Sequence, residues 1–288
     1  MPELPEVEIT ARRLHEALEG AVIESALSPG INALKTFDPP LHALEGKAIE
    51  RIRRIGKHFV IDVEDDVHVL IHLMSAGRLQ LFDKRASLRD RASRLLLRVP
   101  TEEQPERELR LREFGTRQAA WVKVLRGDDL AADPSIATLG PEAWPDPPAD
   151  LRTVLKPQGA RPLHGVLRDQ RVIAGIGRSW VDEILWDAKL SPFKRGDDLD
   201  DDEAAALREA IVRRLGDALA HYEQVVHLPI KDKLPLPLEV HRHEGKPCPR
   251  CGTTLEAIHY ESYVLAYCPT DQTGGRVLKD RRLSRLLK

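Results

Sequence analysis

The chain has 288 residues, 42% hydrophobic and 31% charged, with a formal net charge of −2 at pH 7. These are ordinary values for a soluble globular protein, and no apolar run reaches the length of about 18 residues needed for a helical membrane span. The near-neutral balance points away from a uniformly basic surface of the kind nucleic acids select, although Leu236–Lys288 carries nine Lys/Arg against six Asp/Glu while Pro141–Pro235 carries fourteen against seventeen.

The length suits about two domains. The opening MPELPEVEIT is acidic and lacks the basic-then-apolar layout of a signal peptide, so a cytoplasmic protein is expected. Pro5 suits the first turn of a helix, where its missing N–H costs nothing. Val7, Ala11, Leu14 and Leu18 then recur at helical spacing, and Gly20 can close the helix. From about Ala21 to Leu125 the chain reads as β. His58–Val63, His68–Leu73 and Arg94–Val99 are short, apolar or alternating, and bounded by turn signals, which predicts a sandwich or barrel. Pro141–Pro148 contains four prolines and reads as a linker. Beyond it, Arg161–Arg168, Trp180–Asp187 and Asp202–His221 read as helices, with Gly175 and Gly177 in a tight turn before Trp180 and the acidic run Asp197–Glu203 as a solvated lead-in. Leu228–Pro237, with three prolines, joins the helices to a last module.

Two constellations carry chemistry on their residues alone. Removal of Met1 before the small Pro2 leaves a secondary amine whose pKa lies near 8, so that much of it is neutral and nucleophilic. Glu3 beside it can move protons; the same residues, with Pro5 and Glu6, also suffice merely to start a helix. Cys248-Pro249-Arg250-Cys251 is followed after sixteen residues by Cys268, with Asp271 three positions on. Two close pairs brought together by a hairpin suit one structural zinc ion, here with a Cys₃Asp ligand set of Cys248, Cys251, Cys268 and Asp271.

MPELPEVE resembles the N-terminus of the formamidopyrimidine-DNA glycosylases, relatives of endonuclease VIII, and the resemblance covers essentially the whole chain. It implies a multidomain α and β protein: an N-terminal β-sandwich over 1–130, a helix-two-turn-helix domain over 131–234 and a zinc-finger β-hairpin with a basic tail over 235–288. It also implies a monomer that binds damaged double-stranded DNA with the lesion flipped out, and no membrane association. The implied activity is base excision with abasic-site lyase action. Pro2 would be the Schiff-base nucleophile, Glu3 the acid/base, Glu6 a supporting group and Lys57, in Arg53-Arg54-Ile55-Gly56-Lys57-His58, a grip on the phosphate beside the lesion.

The same resemblance points to DNA contacts at Arg54, Met74, Arg112, Phe114, His164 and Gly177; Tyr263 occupies the position of a family arginine, and Arg178, with Arg242 or Arg276 as helpers, is expected to take over that arginine's phosphate contact. Arg112 and Phe114 match residues that fill the gap left by the flipped base, and Met74 in His72-Leu73-Met74-Ser75-Ala76-Gly77 lies one position from the family's methionine. Arg178 stands where the family usually has Asn, His164 where Lys is common, and Tyr263 where an arginine at the hairpin tip holds the lesion's phosphate. His241-Arg242-His243 replaces a tyrosine-containing segment, and a tail from Gln272 to Lys288, expected to pack as a short helix, extends past the usual end. Gly216–Pro229 lacks the glycine-rich loop that caps oxidised guanine, which leans toward an open pocket and oxidised pyrimidines. The missing hairpin arginine leaves a non-catalytic or lyase-only binder of damaged or abasic DNA as the alternative.

Overall fold

The computed structural model describes residues 2–29, 32–87, 90–114, 118–260 and 263–279. Contacts divide the chain into two compact units, one of 1–138 with 219–235 and one of 139–218 with 236–288. The helical stretch and the cysteine hairpin, taken from the sequence as separate domains, thus group together. Their shared core explains it: Trp186 packs with Val240, Cys248, Leu255 and Cys268.

The first unit opens with α1 (Leu4–Leu18), whose Val7, Ala11, Leu14 and Leu18 form the apolar stripe expected from their spacing. The chain turns out of α1 at Gly20, with φ 77°. Strands β1 (Ser25–Leu27), β2 (Ile49–Ile55), β3 (His58–Val63), β4 (Val67–His72), β5 (Gly77–Phe82), β6 (Ser93–Arg98), β7 (Glu108–Glu113) and β8 (Trp121–Arg126) follow. They pair antiparallel in two four-stranded sheets, ordered β1-β6-β7-β5 and β2-β3-β4-β8. Residues of both sheets and the α1 stripe share one core: Ile52, Phe59, Ile61, Val69 and Ile71 meet Leu79, Leu81, Leu95, Leu97, Leu109 and Leu111. The β2-β3-β4-β8 sheet is apolar on its other face too. There Val60, Leu70 and Leu125 are covered by Leu130 and Ile136, from the single-turn helices α2 (Asp129–Ala132) and α3 (Pro134–Ala137). This double burial is why β3 reads as a nearly continuous apolar run rather than a strict alternation.

The second unit carries the one-turn helices α4 (Arg152–Leu155) and α5 (Leu163–Val166), then α6 (Trp180–Asp187) and most of α7 (Asp201–Val225). Helix α5 is shorter than the expected Arg161–Arg168, because Pro162 caps its start and its last turn gives way to the tight chain reversal Asp169–Gly177. Helix α7 is longer than expected, and its final turns from Leu219 belong to the first unit. The segment from Gly216 is therefore helical as far as Val225 and not a loop. Strands β9 (Glu256–Tyr260) and β10 (Tyr263–Tyr267) form the hairpin, and α8 (Pro269–Thr273) follows it. The tail from Gln272 to Lys288, expected to pack as a short helix, is not helical over 274–279, and 280–288 lie outside the described residues. Among the described residues no helix is long and apolar enough to cross a membrane.

Candidate functional site

In the first unit, Pro2 is half-buried at the head of α1, directly before Glu3 and Glu6, which are 3% and 8% exposed. The Glu3 N–H donates to Glu6 Oε2 at 2.8 Å, and Tyr222 Oη, from the last turns of α7, donates to Glu6 Oε1 at 2.8 Å. One carboxylate thus ties the first peptide after Pro2 to a distant helix. Burial, together with the charges of Glu6 and Glu3, pushes the Tyr222 phenol far above its usual range, so it remains a donor at any working pH.

Lys57 lies in the two-residue turn Gly56–Lys57, closed by the pair Ile55–His58. Gly56 has φ 57°, the left-handed conformation such a turn asks of glycine. Arg54 holds this turn from within. Its Nη1 donates to the Gly56 carbonyl at 2.9 Å and its Nε to Glu8 Oε2 on α1 at 3.0 Å. With its side chain only 5% exposed, the guanidinium assigned from the sequence to DNA is engaged inside the unit, between the Lys57 turn and the helix that begins at Leu4.

Met74 sits half-buried with φ 49° in the turn between β4 and β5, and its N–H donates to His72 Nδ1 at 3.0 Å. That turn needs Gly77, because a Cβ there would collide with the Leu73 backbone. His72 stacks on Trp121 at 5.7 Å and meets His58 at 4.6 Å. Burial lowers His58 to about 4 and His72 to about 3, so both stay neutral near pH 7. Arg112 lies 4.7 Å over the Phe114 ring, which is 38% exposed, while the guanidinium itself is half-buried, 5.5 Å from the Phe82 ring and 3.9 Å from Asp90. Gly115, next in that motif, lies outside the described residues. The intervening Glu113 points inward, where its Oε1 accepts from the Ala119 and Ala120 N–H groups at 2.7 and 2.9 Å.

In the second unit, two buried acids of α6 organise the rest. Glu183 accepts from the N–H groups of Glu239, Val240 and His241 at 2.8–3.1 Å, and burial raises its pKa. Asp182 Oδ1 meets His164 Nε2 at 3.1 Å, while Oδ2 meets His241 Nδ1 at 2.7 Å and the Ala266 N–H at 3.0 Å. His164 is 3% exposed, with its pKa lowered by burial, so its side chain supports the surface from behind instead of reaching out to DNA. The ring of His164 stacks on Tyr263 at 5.7 Å, and Tyr260 stacks on Tyr263 at 4.4 Å. Two guanidiniums converge on Tyr263: Arg168 at 4.2 Å from the ring centroid and Arg178 at 5.5 Å.

Gly177 is buried in the turn ahead of Arg178. Gln170 braces that turn, accepting from the Gly175 N–H and donating to the Ile176 carbonyl, both at 2.9 Å. Arg242 and Arg276 are exposed, the former with φ 60°. Sequence reasoning missed Arg168, Gln170, Tyr222 and Tyr260. Arg168 alone carried a local signal, four residues after His164 in the segment Arg161–Arg168 that the sequence reads as a helix.

The donor atoms of Cys248, Cys251, Cys268 and Asp271 all lie within 4.8 Å of one another. Tetrahedral zinc with Zn–S bonds of about 2.3 Å requires donor–donor edges of about 3.8 Å; the pairs Cys251–Cys268 at 3.4 Å and Cys248–Asp271 at 3.8 Å suit that cage. The four residues can therefore hold a metal ion. Trp186 Nε1 donates to the Cys248 sulfur at 3.3 Å, fixing that sulfur from the core side.

Two family models match the chain: the formamidopyrimidine-DNA glycosylase N-terminal domain over 1–118 and the helix-two-turn-helix domain of the same glycosylases over 139–228. A Thermus thermophilus formamidopyrimidine-DNA glycosylase is 31% identical over 96% of this chain and all of its own length. An uncharacterised glycosylase-like protein of Mycobacterium tuberculosis is 40% identical over 55% of this chain and all of its own. Among solved structures, Lactococcus lactis Fpg in complex with an abasic site containing DNA matches with TM-score 0.82 at 24% identity, over 94% of this chain and 99% of its own. MutM in complex with carbocyclic 8-oxo-G containing DNA matches with TM-score 0.82 at 25% identity, over 94% and 100%. By its sequence, and by a fold that agrees, this chain belongs to the formamidopyrimidine-DNA glycosylase family.

Proposed function

We propose that this protein excises a damaged base from duplex DNA and then cleaves the strand, with Pro2 as nucleophile after loss of Met1. The observation that carries the proposal is the pair of buried carboxyl groups, Glu3 and Glu6, held directly behind Pro2 at the head of α1. Both carboxyls are partnered within the start of the helix, Glu6 also by Tyr222, and they follow directly on the residue whose secondary amine is freed when Met1 is lost. The amine lone pair attacks C1′, and the bond to the base breaks with its electrons leaving on the base, which takes up a proton. Glu3 protonates the ring oxygen as it leaves C1′, and loss of the amine proton completes an iminium. Loss of a C2′ proton then lets the C3′–O bond break, with the phosphate taking the electron pair. Water hydrolyses the iminium and restores Pro2.

Lys57, fixed through Arg54, supplies a phosphate contact, and Arg112 with Phe114 fills the space of the flipped base. In the second unit, Arg178 and Arg168, gathered on Tyr263, supply the cation that the hairpin itself lacks, with Arg242 and Arg276 as further phosphate contacts. Cys248, Cys251, Cys268 and Asp271 would hold a zinc ion, which would staple the hairpin that presents Tyr263. The test is incubation with duplexes containing an abasic site, an oxidised pyrimidine or an oxidised purine, followed by borohydride. Base release with a trapped adduct on a damaged-base duplex supports the full reading. An adduct on abasic DNA alone reduces it to a lyase, and no adduct on any duplex rejects catalysis.

A further inference from the structure

We infer that Tyr222 is a positioning residue for the Pro2 amine, acting through Glu6; this rests on the reading of Pro2 as the nucleophile. A helix start needs only the local hydrogen bond between Glu3 and Glu6. The third member comes from 216 residues away in sequence, from the last turns of α7. Tyr222 is fully buried, and a buried hydroxyl requires a partner. The partner here is a carboxylate whose other oxygen already holds the Glu3 N–H, so Glu6 is fixed at both oxygens and cannot rotate. The peptide held in this way is the one that joins Pro2 to Glu3. Because that peptide is planar, fixing its N–H also fixes the carbonyl carbon and Cα of Pro2. What remains to aim the amine is one backbone torsion, at a terminus that would otherwise fray. The hydroxyl of Tyr222 thus sets the direction of the nucleophile without touching DNA.

The test is single-turnover borohydride trapping on an abasic-site duplex at saturating protein, with DNA affinity measured separately by fluorescence anisotropy. Tyr222→Phe removes one oxygen and keeps the ring. Its trapping rate should fall by about tenfold to a hundredfold, the scale set by a misplaced reacting group, while DNA affinity stays within about twofold. Glu6→Gln should do the same, and Tyr222→Phe/Glu6→Gln should be no slower than the slower single variant, because both changes break one connection. Wild-type trapping by Tyr222→Phe, or a double variant whose loss is the product of the two single losses, overturns the inference. An absence of any Pro2 adduct in the wild-type protein overturns the nucleophile reading, and this inference with it. If Tyr222→Phe does not fold, tetrafluorotyrosine at 222 fills the same space but ionises at much lower pH, so the donor can be switched off by titration. Its trapping should then fall on the alkaline side relative to wild type, and an alkaline limb identical to wild type overturns the inference.

Discussion

At the scale of single residues, Arg178 and Arg168 give the plainest case of what a structure adds. From the sequence, Arg178 is expected to contact DNA at a position where the family usually has Asn. In the structure the nearby Asp182 is taken up by His164, His241 and the Ala266 N–H, and Arg178 lies over Tyr263 beside Arg168. We predict that Arg178→Ala and Arg168→Ala each lower the salt slope of duplex binding by about one unit, alike for all sequences, with little change in thermal stability. An unchanged slope with a clear loss of stability would assign the pair to folding. Arg54 shows the converse: its neighbours in sequence are basic, so it read as part of a DNA-facing run, but its partner Glu8 is 46 residues away and invisible to local pattern. The histidines of β3 and β4 carry a pH signature. His58 and His72 take up protons only near pH 4 and pH 3 in the fold, but near 6.5 when unfolded. Their contribution to stability is complete above about pH 6.5 and is lost as the pH falls below it, by up to about 1.4 kcal/mol per pH unit per group. His72→Asn keeps an acceptor for the Met74 N–H and cannot titrate. Urea melts should show it losing about 1–2 kcal/mol less than wild type between pH 7 and pH 5; equal losses would contradict the assignment.

At the scale of elements, α1, the strands β3, β4 and β6, and α6 were legible because each has a clean period or a run bounded by turn signals. The end of α7 was not. The chain from Leu219 is recruited by the first unit, where Arg13 donates to the Val226 carbonyl at 2.8 Å and Tyr222 reaches Glu6, and such tertiary pull extends a helix past its local signals. The cysteine hairpin was legible from spacing alone, and Asp271 does stand with the three sulfurs. Arg250 lies 3.4 Å from the same carboxylate, so an ion pair competes with metal ligation as the reason for that placement. Elemental analysis should find one zinc per chain. Asp271→Ala should weaken zinc retention against a chelator by at least about tenfold, since even residues that only support ligands cost that much, whereas Arg250→Ala should not. Full zinc in Asp271→Ala would leave the carboxylate as a mere partner of Arg250.

At the scale of the whole molecule, the chemistry is concentrated in a few side chains anchored by long-range bonds. The first unit places Glu3, Glu6 and Tyr222 around the start of α1, and the second gathers two arginines on a tyrosine and brings three cysteines together with Asp271. Net charge hid this, because the acids of the chain are spent largely on solvated runs such as Asp197–Glu203 and on internal pairs. The central claim is that the amine of Pro2 forms the covalent bond to DNA. The direct measurement is borohydride trapping of the wild-type protein on an abasic-site duplex, followed by proteolysis and mass spectrometry of the cross-linked peptide. The account predicts a linkage on Pro2 at a chain start lacking Met1, and its disappearance when Met1 is retained by an N-terminal extension. A linkage on Lys57 or any other lysine, or undiminished trapping by the extended chain, would contradict it.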